Sequence, residues 1–159
     1  PNPVVQEYLE GPEYTIDVLC DGRGAPLAIV PRERAVIRAG VIDRGRTVKD
    51  PLLIAVAERV CDALPFAGPI NIQCGMRGDT PVVFEINPRF SGGIPLTIAA
   101  GADFPAMLLR LAAGLPVAPA IGQFEDGLWM TSFESSLFLD AGEIALKRVA
   151  PRVAAREVA

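Results

Sequence analysis

The apolar positions of this chain recur with a period of two in several short stretches and at helical spacing in others, and the two patterns interleave. "VVQEYL" (4–9) and "EYTIDVLC" (13–20) read as strands separated by Gly11-Pro12. "DGRG" (21–24) is a hairpin turn signal, with "APLAIVPRERAVI" (25–37) as a further strand. "DPLLIAVAERVCDAL" (50–64) has an Asp in the N-cap place, Pro51 at the first helical position, and Leu53, Val56, Val60 and Leu64 at helical spacing. "PINIQCG" (69–75) and "PVVFEIN" (81–87) read as a strand pair around "MRGDT". Helices are expected in "PLTIAAG" (95–101) and in "DFPAMLLRLAAG" (103–114), the second capped by Asp103 and stopped by Gly114. "LPVAPAIG" (115–122) reads as a loop, "LWMTSFESSLFLD" (128–140) as a last strand region, and the tail beyond it as frayed. The order of elements predicts an α+β fold, mostly antiparallel sheet packed against helices.

Side chains alternate along a strand, so Glu85 and Asn87 share one face while Phe84 and Ile86 are expected in the core. On the preceding strand Asn71 and Gln73 share a face. In an antiparallel pair, opposed residue numbers sum to a constant, and Gln73 meets Glu85 only if that constant is even. An odd-length loop, or a bulge that restores the same facing, is therefore required to gather these oxygen-bearing side chains. An unbulged loop of even length would instead turn Gln73 toward Phe84.

A carboxylate with amide oxygens suits a hard cation such as Mg²⁺ or Mn²⁺, which keeps waters and takes further ligands from phosphates. The same residues also describe the polar outer face of a half-buried sheet. The next few positions shift that balance. Pro88 ends the ladder, Arg89 stands at the mouth of the loop, and Gly92-Gly93 lets backbone amides approach an anion. Glu85, Asn87, Arg89 and the glycines in that order suit a cradle for nucleotide phosphates.

Composition narrows the class. The 159 residues suit one domain, or one domain with an appendage, and half of them are apolar. No apolar run approaches the roughly 20 residues of a membrane span. The absence of histidine excludes a Ser-His-Asp triad, a Cys-His pair and a His-ligated zinc site within this chain. Cys20, Cys61 and Cys74 are odd in number and lack CxxC spacing, so they read as buried thiols of a reducing compartment, the cytoplasm. The net charge of −4 is uneven: residues 32 to 49 carry six cations against Glu33 and Asp43. That stretch is either a solvated face or an anion site, and overall acidity with few aromatics argues against nucleic acid.

"NIQCGMRGDTPVVFEINPRFSGGIPLTIAAGADFPAMLLRLAAG" resembles the C-terminal lobe of ATP-grasp enzymes, and is similar to proteins like the carbamoyl-phosphate synthase large subunit. The resemblance covers roughly residues 4 to 115, taken as one lobe from the hinge strand onward, with 116–159 as an extension. It implies metal ligands at Gln73, Glu85 and Asn87, and a phosphate-contacting, catalytic Arg89. "VVQEYLEGPEYTIDV" resembles the family's hinge, which implies adenine held by backbone from Glu7 to Leu9 and ribose hydroxyls at Glu13. The implied chemistry uses ATP and Mg²⁺ (or Mn²⁺) to activate a small carboxylate as an acyl phosphate for attack by an amine or similar nucleophile. A non-catalytic binding or assembly module is the alternative.

The family pattern is incomplete here. A histidine expected near position 42 is Ile42, and a second arginine expected near 92 is Gly92. Only Lys49 and Lys147 are lysines, whereas the family covers the phosphates with a lysine-bearing central lobe. The expected partners are accordingly N-terminal and central lobes of the same enzyme; a homodimer is compatible with the sequence. The short chain alone is expected to be inactive.

Overall fold

A computed structural model describes residues 3–133 together with Ser135, Ser136 and Phe138. Six strands form one sheet: β1 (Glu13–Cys20), β2 (Pro26–Arg38), β3 (Val41–Thr47), β4 (Gly68–Arg77), β5 (Thr80–Asn87) and β6 (Trp129–Thr131). Their spatial order is β5-β4-β1-β2-β3-β6, and every neighbouring pair is antiparallel. Three helices, α1 (Pro51–Ala63), α2 (Ile94–Ala99) and α3 (Phe104–Ala112), complete the α+β architecture.

The sheet is buried differently on its two faces, and this decides where chemistry can occur. Strand alternation puts Ile16, Val18 and Cys20 of β1 on one face, with Ile29, Ile70, Ile72 and Cys74 of the neighbouring strands. Helix α1 covers that face with Leu53, Ala57 and Cys61. The helix begins where its sequence dictates: the Asp50 carboxylate accepts from Leu52 N at 2.8 Å, and Pro51 starts the first turn. All three cysteines are buried free thiols, with the Cys20 and Cys61 sulfurs 3.7 Å apart. Burial pushes the Cys74 thiol up to about 11.

The opposite face is apolar at one end only. Leu19, Ala28 and Val30 pack there against Ala100, Ala102, Phe104 and Phe124, around α2 and α3. Farther along the same face the register places Thr15, Asp17, Arg32, Asn71 and Gln73. A polar half-face thus opens beside the helices, with β5 and the loop after it along one side.

Four sequence expectations change. Residues 4–9 form no strand; they run extended, with Val5 94% exposed, because no neighbouring backbone supplies a ladder. Strand β3 was not foreseen within the basic stretch, yet Ala39 (φ 49) and Gly40 (φ 80) make the two-residue left-handed turn that folds it back on β2. Phe84 does not enter the core, because β5 bulges where it stands. Of the last strand region only Trp129–Thr131 forms a strand, and much of 128–140 lies outside the described residues, as does the tail.

Candidate active site

The β4–β5 hairpin closes through Gly78-Asp79, with Gly78 at φ +59 and Arg77 paired to Thr80. A two-residue loop gives an odd register near the turn, Cys74 opposite Val83. Left uncorrected, it would carry Gln73 opposite Phe84. A bulge at Phe84 shifts the pairing, and beyond it Gln73 stands opposite Glu85 and Asn71 opposite Asn87. The required facing is therefore restored by the bulge rather than by an odd-length loop. The extra residue is also why Phe84 leaves the core and remains 37% exposed, whereas Ile86 packs against it as expected.

The polar side chains form two networks, one of Glu85, Asn87 and Asn71 and the other of Gln73, Arg34 and Glu13. Asn87 Nδ2 donates to Glu85 Oε1 at 2.9 Å and to Asn71 Oδ1 at 3.3 Å. Asn71 Nδ2 in turn donates to the Arg89 carbonyl at 2.9 Å, fixing the start of the loop. Gln73 Oε1 accepts from Arg34 Nη1 at 3.0 Å, and the same nitrogen donates to Glu13 Oε2 at 3.0 Å. Arg34 Nη2 reaches the Gly40 carbonyl at 2.8 Å, which ties the β2–β3 turn to the site.

This donor set fits a cation that retains water and phosphate ligands. Glu85 is exposed and ionisable, and Asn87 spends its amide nitrogen on neighbours, leaving its oxygen outward-capable. At Gln73 a cation has only the second lone pair of an oxygen already bonded to a guanidinium. Among the described residues no three His, Cys, Asp or Glu side chains cluster, so this is no all-protein cage.

Arg89 lines a cavity of about 140 Å³ with Arg32, Arg34, Gln73 and the Gly92-Gly93 backbone. Its own Nη1 bonds the Phe90 carbonyl at 2.9 Å, and among the described residues no carboxylate pairs with it. The basic stretch divides between two roles. Arg32 and Arg34 face this cavity, while Arg46 pairs with Glu33 at 2.7 Å and lies over the Trp129 ring. Arg38 pairs with Asp43 at 3.5 Å.

A second, larger cavity of about 430 Å³ lies at the hairpin's outer end. Gln6, Glu7, Tyr8 and Leu9 form one wall, with Glu13, Val82 and Phe84 across from them. The approach of segment 6–11 to β4 is close: a Cβ on Gly75 would lie 2.8 Å from Leu9 Cδ1, and one on Gly11 2.5 Å from the Met76 carbonyl oxygen. Glycine at both positions lets the chain cross the strand. The Glu7 carboxylate pairs with Arg77, away from the cavity's apolar wall. Glu13 lines this cavity and also bonds Arg34 of the smaller one, so it stands between the two.

Sequence reasoning thus named Glu7, Leu9, Glu13, Gln73, Glu85, Asn87 and Arg89; the structure places Glu7, Leu9 and Glu13 at the larger cavity, Gln73 and Arg89 at the smaller one, and Glu85 and Asn87 opposite Gln73 and Asn71, lining neither. It did not single out Arg32, Arg34 or Phe84. The arginines were visible as two cations spaced by one residue, hence on one strand face. The bulge that frees Phe84 had no signal beyond the length of the turn.

Comparisons with known proteins bear on the family and the fold. The family described as "ATP-grasp in the biosynthetic pathway with Ter operon" matches residues 1–135. The carbamoyl phosphate synthase large chain of Thermoanaerobacter sp. (strain X514) is 30% identical over 135 residues, 79% of this chain and 12% of that protein. Its counterpart in Thermoanaerobacter pseudethanolicus is 29% identical over the same share. The chain therefore spans about an eighth of the length of the curated relatives it matches. Among solved structures, a biotin carboxylase–beta-gamma-ATP complex from Campylobacter jejuni superimposes with a TM-score of 0.59 at 15% identity, over 70% of this chain and 27% of that one. At that identity the likeness speaks for the fold.

Proposed function

This chain belongs to the ATP-grasp family, and from that premise we propose that it is the nucleotide- and metal-binding C-terminal portion of an ATP-dependent ligase. The observation that carries the reading is the Phe84 bulge, which aligns Glu85 and Asn87 with Gln73 and Asn71 beside an arginine-lined cavity. A merely solvated sheet face has no need of that correction. The reading places adenine in the larger cavity, against the backbone of Glu7 to Leu9 and the exposed ring of Phe84, with ribose at Glu13. The phosphates run from there along β5 toward Arg89.

In this scheme Glu85 and Asn87, with Gln73 on its spare lone pair, would hold Mg²⁺, or Mn²⁺ in its place. The ion would supply neutralisation of charge on the transferring phosphoryl group. Arg89 donates to the phosphoryl oxygens, and its guanidinium is available because among the described residues no carboxylate pairs with it. The substrate carboxylate attacks the γ-phosphorus, the bond to the bridging oxygen breaks, and ADP departs. An amine or similar nucleophile then displaces phosphate from the acyl phosphate. Positioning and electrostatics carry such a reaction, which suits a site without histidine. The remaining lobes of the enzyme enclose the site, and the cytoplasm supplies ATP and keeps the thiols reduced.

Nucleotide binding by the full-length natural protein, followed with a fluorescent ATP analogue, tests the assignment. Glu85→Gln should abolish most of the gain in affinity that Mg²⁺ confers while leaving metal-free binding within roughly twofold, because only the carboxylate charge is removed. Equal loss with and without metal would remove Glu85 from the metal site.

A further inference from the structure

Arg32 is the largest fully buried side chain among the described residues. Its Nε donates to Asp17 Oδ2 at 2.8 Å and its Nη2 to Ser91 Oγ at 2.7 Å. The third nitrogen, Nη1, has no partner at all. The Thr97 hydroxyl donates to the same Asp17 Oδ2, so Asp17 Oδ1 is likewise buried without a partner. An unsatisfied guanidinium N–H in a buried setting is costly, and a ligand that completes it removes that cost.

The surroundings of that nitrogen show what ligand would do so. Arg32 forms part of the lining of the 140 Å³ cavity, and no Asp or Glu is among the residues that line it. Nη1 lies directly under Gly93, where an added Cβ would come within 2.2 Å of it. Gly93 has φ −97, a conformation open to any residue, so glycine is required there by the guanidinium and not by the backbone. Gly92 beside it leaves the loop without a side chain on the cavity rim. The cavity has room for an acid group and little more, with Arg89 on its wall as a second donor.

We propose that Arg32 is the specificity residue for the acceptor: its free Nη1, with Arg89, grips the substrate carboxylate beneath the Gly92-Gly93 loop. This rests on the ligase reading, and it adds a residue that the hairpin motif does not contain. Asp17, Ser91 and Thr97 fix the guanidinium, which leaves the Nη1 N–H groups for the acid. Nucleotide phosphates and the substrate then occupy different arginine contacts, Arg89 reaching both and Arg32 only the acid.

The test uses succinate as probe, titrated by calorimetry into the full-length protein saturated with Mg²⁺ and β,γ-imido-ATP. Loss of one charge-assisted bond corresponds to about tenfold or more in affinity. Arg32→Lys, which keeps charge but loses the fork, and Gly93→Ala, whose Cβ forces Nη1 to shift, should each weaken succinate by at least that factor. The affinity for the imido nucleotide should stay within roughly twofold in Arg32→Lys, since Arg32 is assigned no phosphate contact. If Arg32→Lys fails to fold, Gly93→Ala decides. Succinate binding unchanged in the folded variants would reduce Arg32 to a structural ion pair and overturn the proposal. So would parallel loss of nucleotide and succinate in Arg32→Lys, or phosphate binding there only without nucleotide, since the cavity would then seat the γ-phosphate. Failure of the wild-type protein to bind the nucleotide would sink the ligase reading separately, and Arg32-dependent succinate binding would still uphold the acid site.

Discussion

Three arginines share one cavity wall and are committed to different degrees. Arg32 and Arg34 each have a carboxylate partner, Asp17 and Glu13, and Arg34 also holds Gln73 and the Gly40 carbonyl. Among the described residues the Arg89 guanidinium bonds only the neighbouring Phe90 carbonyl. A side chain so loosely held contributes little to folding, which leaves its charge available to a ligand. Arg89→Lys in the full-length protein should therefore lower turnover by roughly a hundredfold, as removal of a donor to developing charge does, while the denaturation midpoint in urea hardly moves. Turnover retained within experimental error would make Arg89 a surface residue. The residue scale is also where the sequence was most readable. Glu85, Asn87 and Arg89 carry their meaning in their spacing, whereas Arg32 looks like any cation of a basic stretch until its partners are placed.

At the scale of elements, the register of one hairpin sets the site. The turn is shorter than an unbulged alignment of Gln73 with Glu85 would need, and the bulge at Phe84 makes up the difference. Alternation along each strand was legible, because face-sharing follows from period two alone. The bulge was legible only as a requirement, since turn length and strand register depend on tertiary pairing. For the same reason residues 4–9 looked like a strand: their apolar pattern is sound, but a strand exists only where a neighbour completes its hydrogen bonds. Helix α1 is the opposite case, written locally by Asp50, Pro51 and the spacing of Leu53, Val56 and Ala57. Asp50→Ala should cost about 1 kcal/mol of stability by removing the cap to Leu52 N. Urea unfolding would measure it, and no loss would mean that the packing of α1 alone sets its start.

At the scale of the whole molecule, the sheet has one face sealed by α1 and another sealed only in part. The smaller cavity is lined from the partly sealed face by Thr15, Arg32, Asn71 and Gln73, and the proposed phosphoryl transfer there requires exclusion of water. The resemblance assigns that enclosure to a central lobe with lysines, and among residues 1–133 Lys49 is the only lysine. The residues proposed for the nucleotide and for the substrate carboxylate both lie in this chain, which spans about an eighth of the length of its curated relatives. The central claim is that the site activates a carboxylate by phosphoryl transfer, and product analysis addresses it most directly. The full-length protein would be incubated with Mg-ATP, an amine and a panel of small carboxylates, and the 159-residue chain alone run beside it. The account predicts ADP and inorganic phosphate in step with consumption of one carboxylate, and no turnover by the short chain. Formation of AMP and pyrophosphate, or nucleotide binding without turnover for every carboxylate offered, would contradict it.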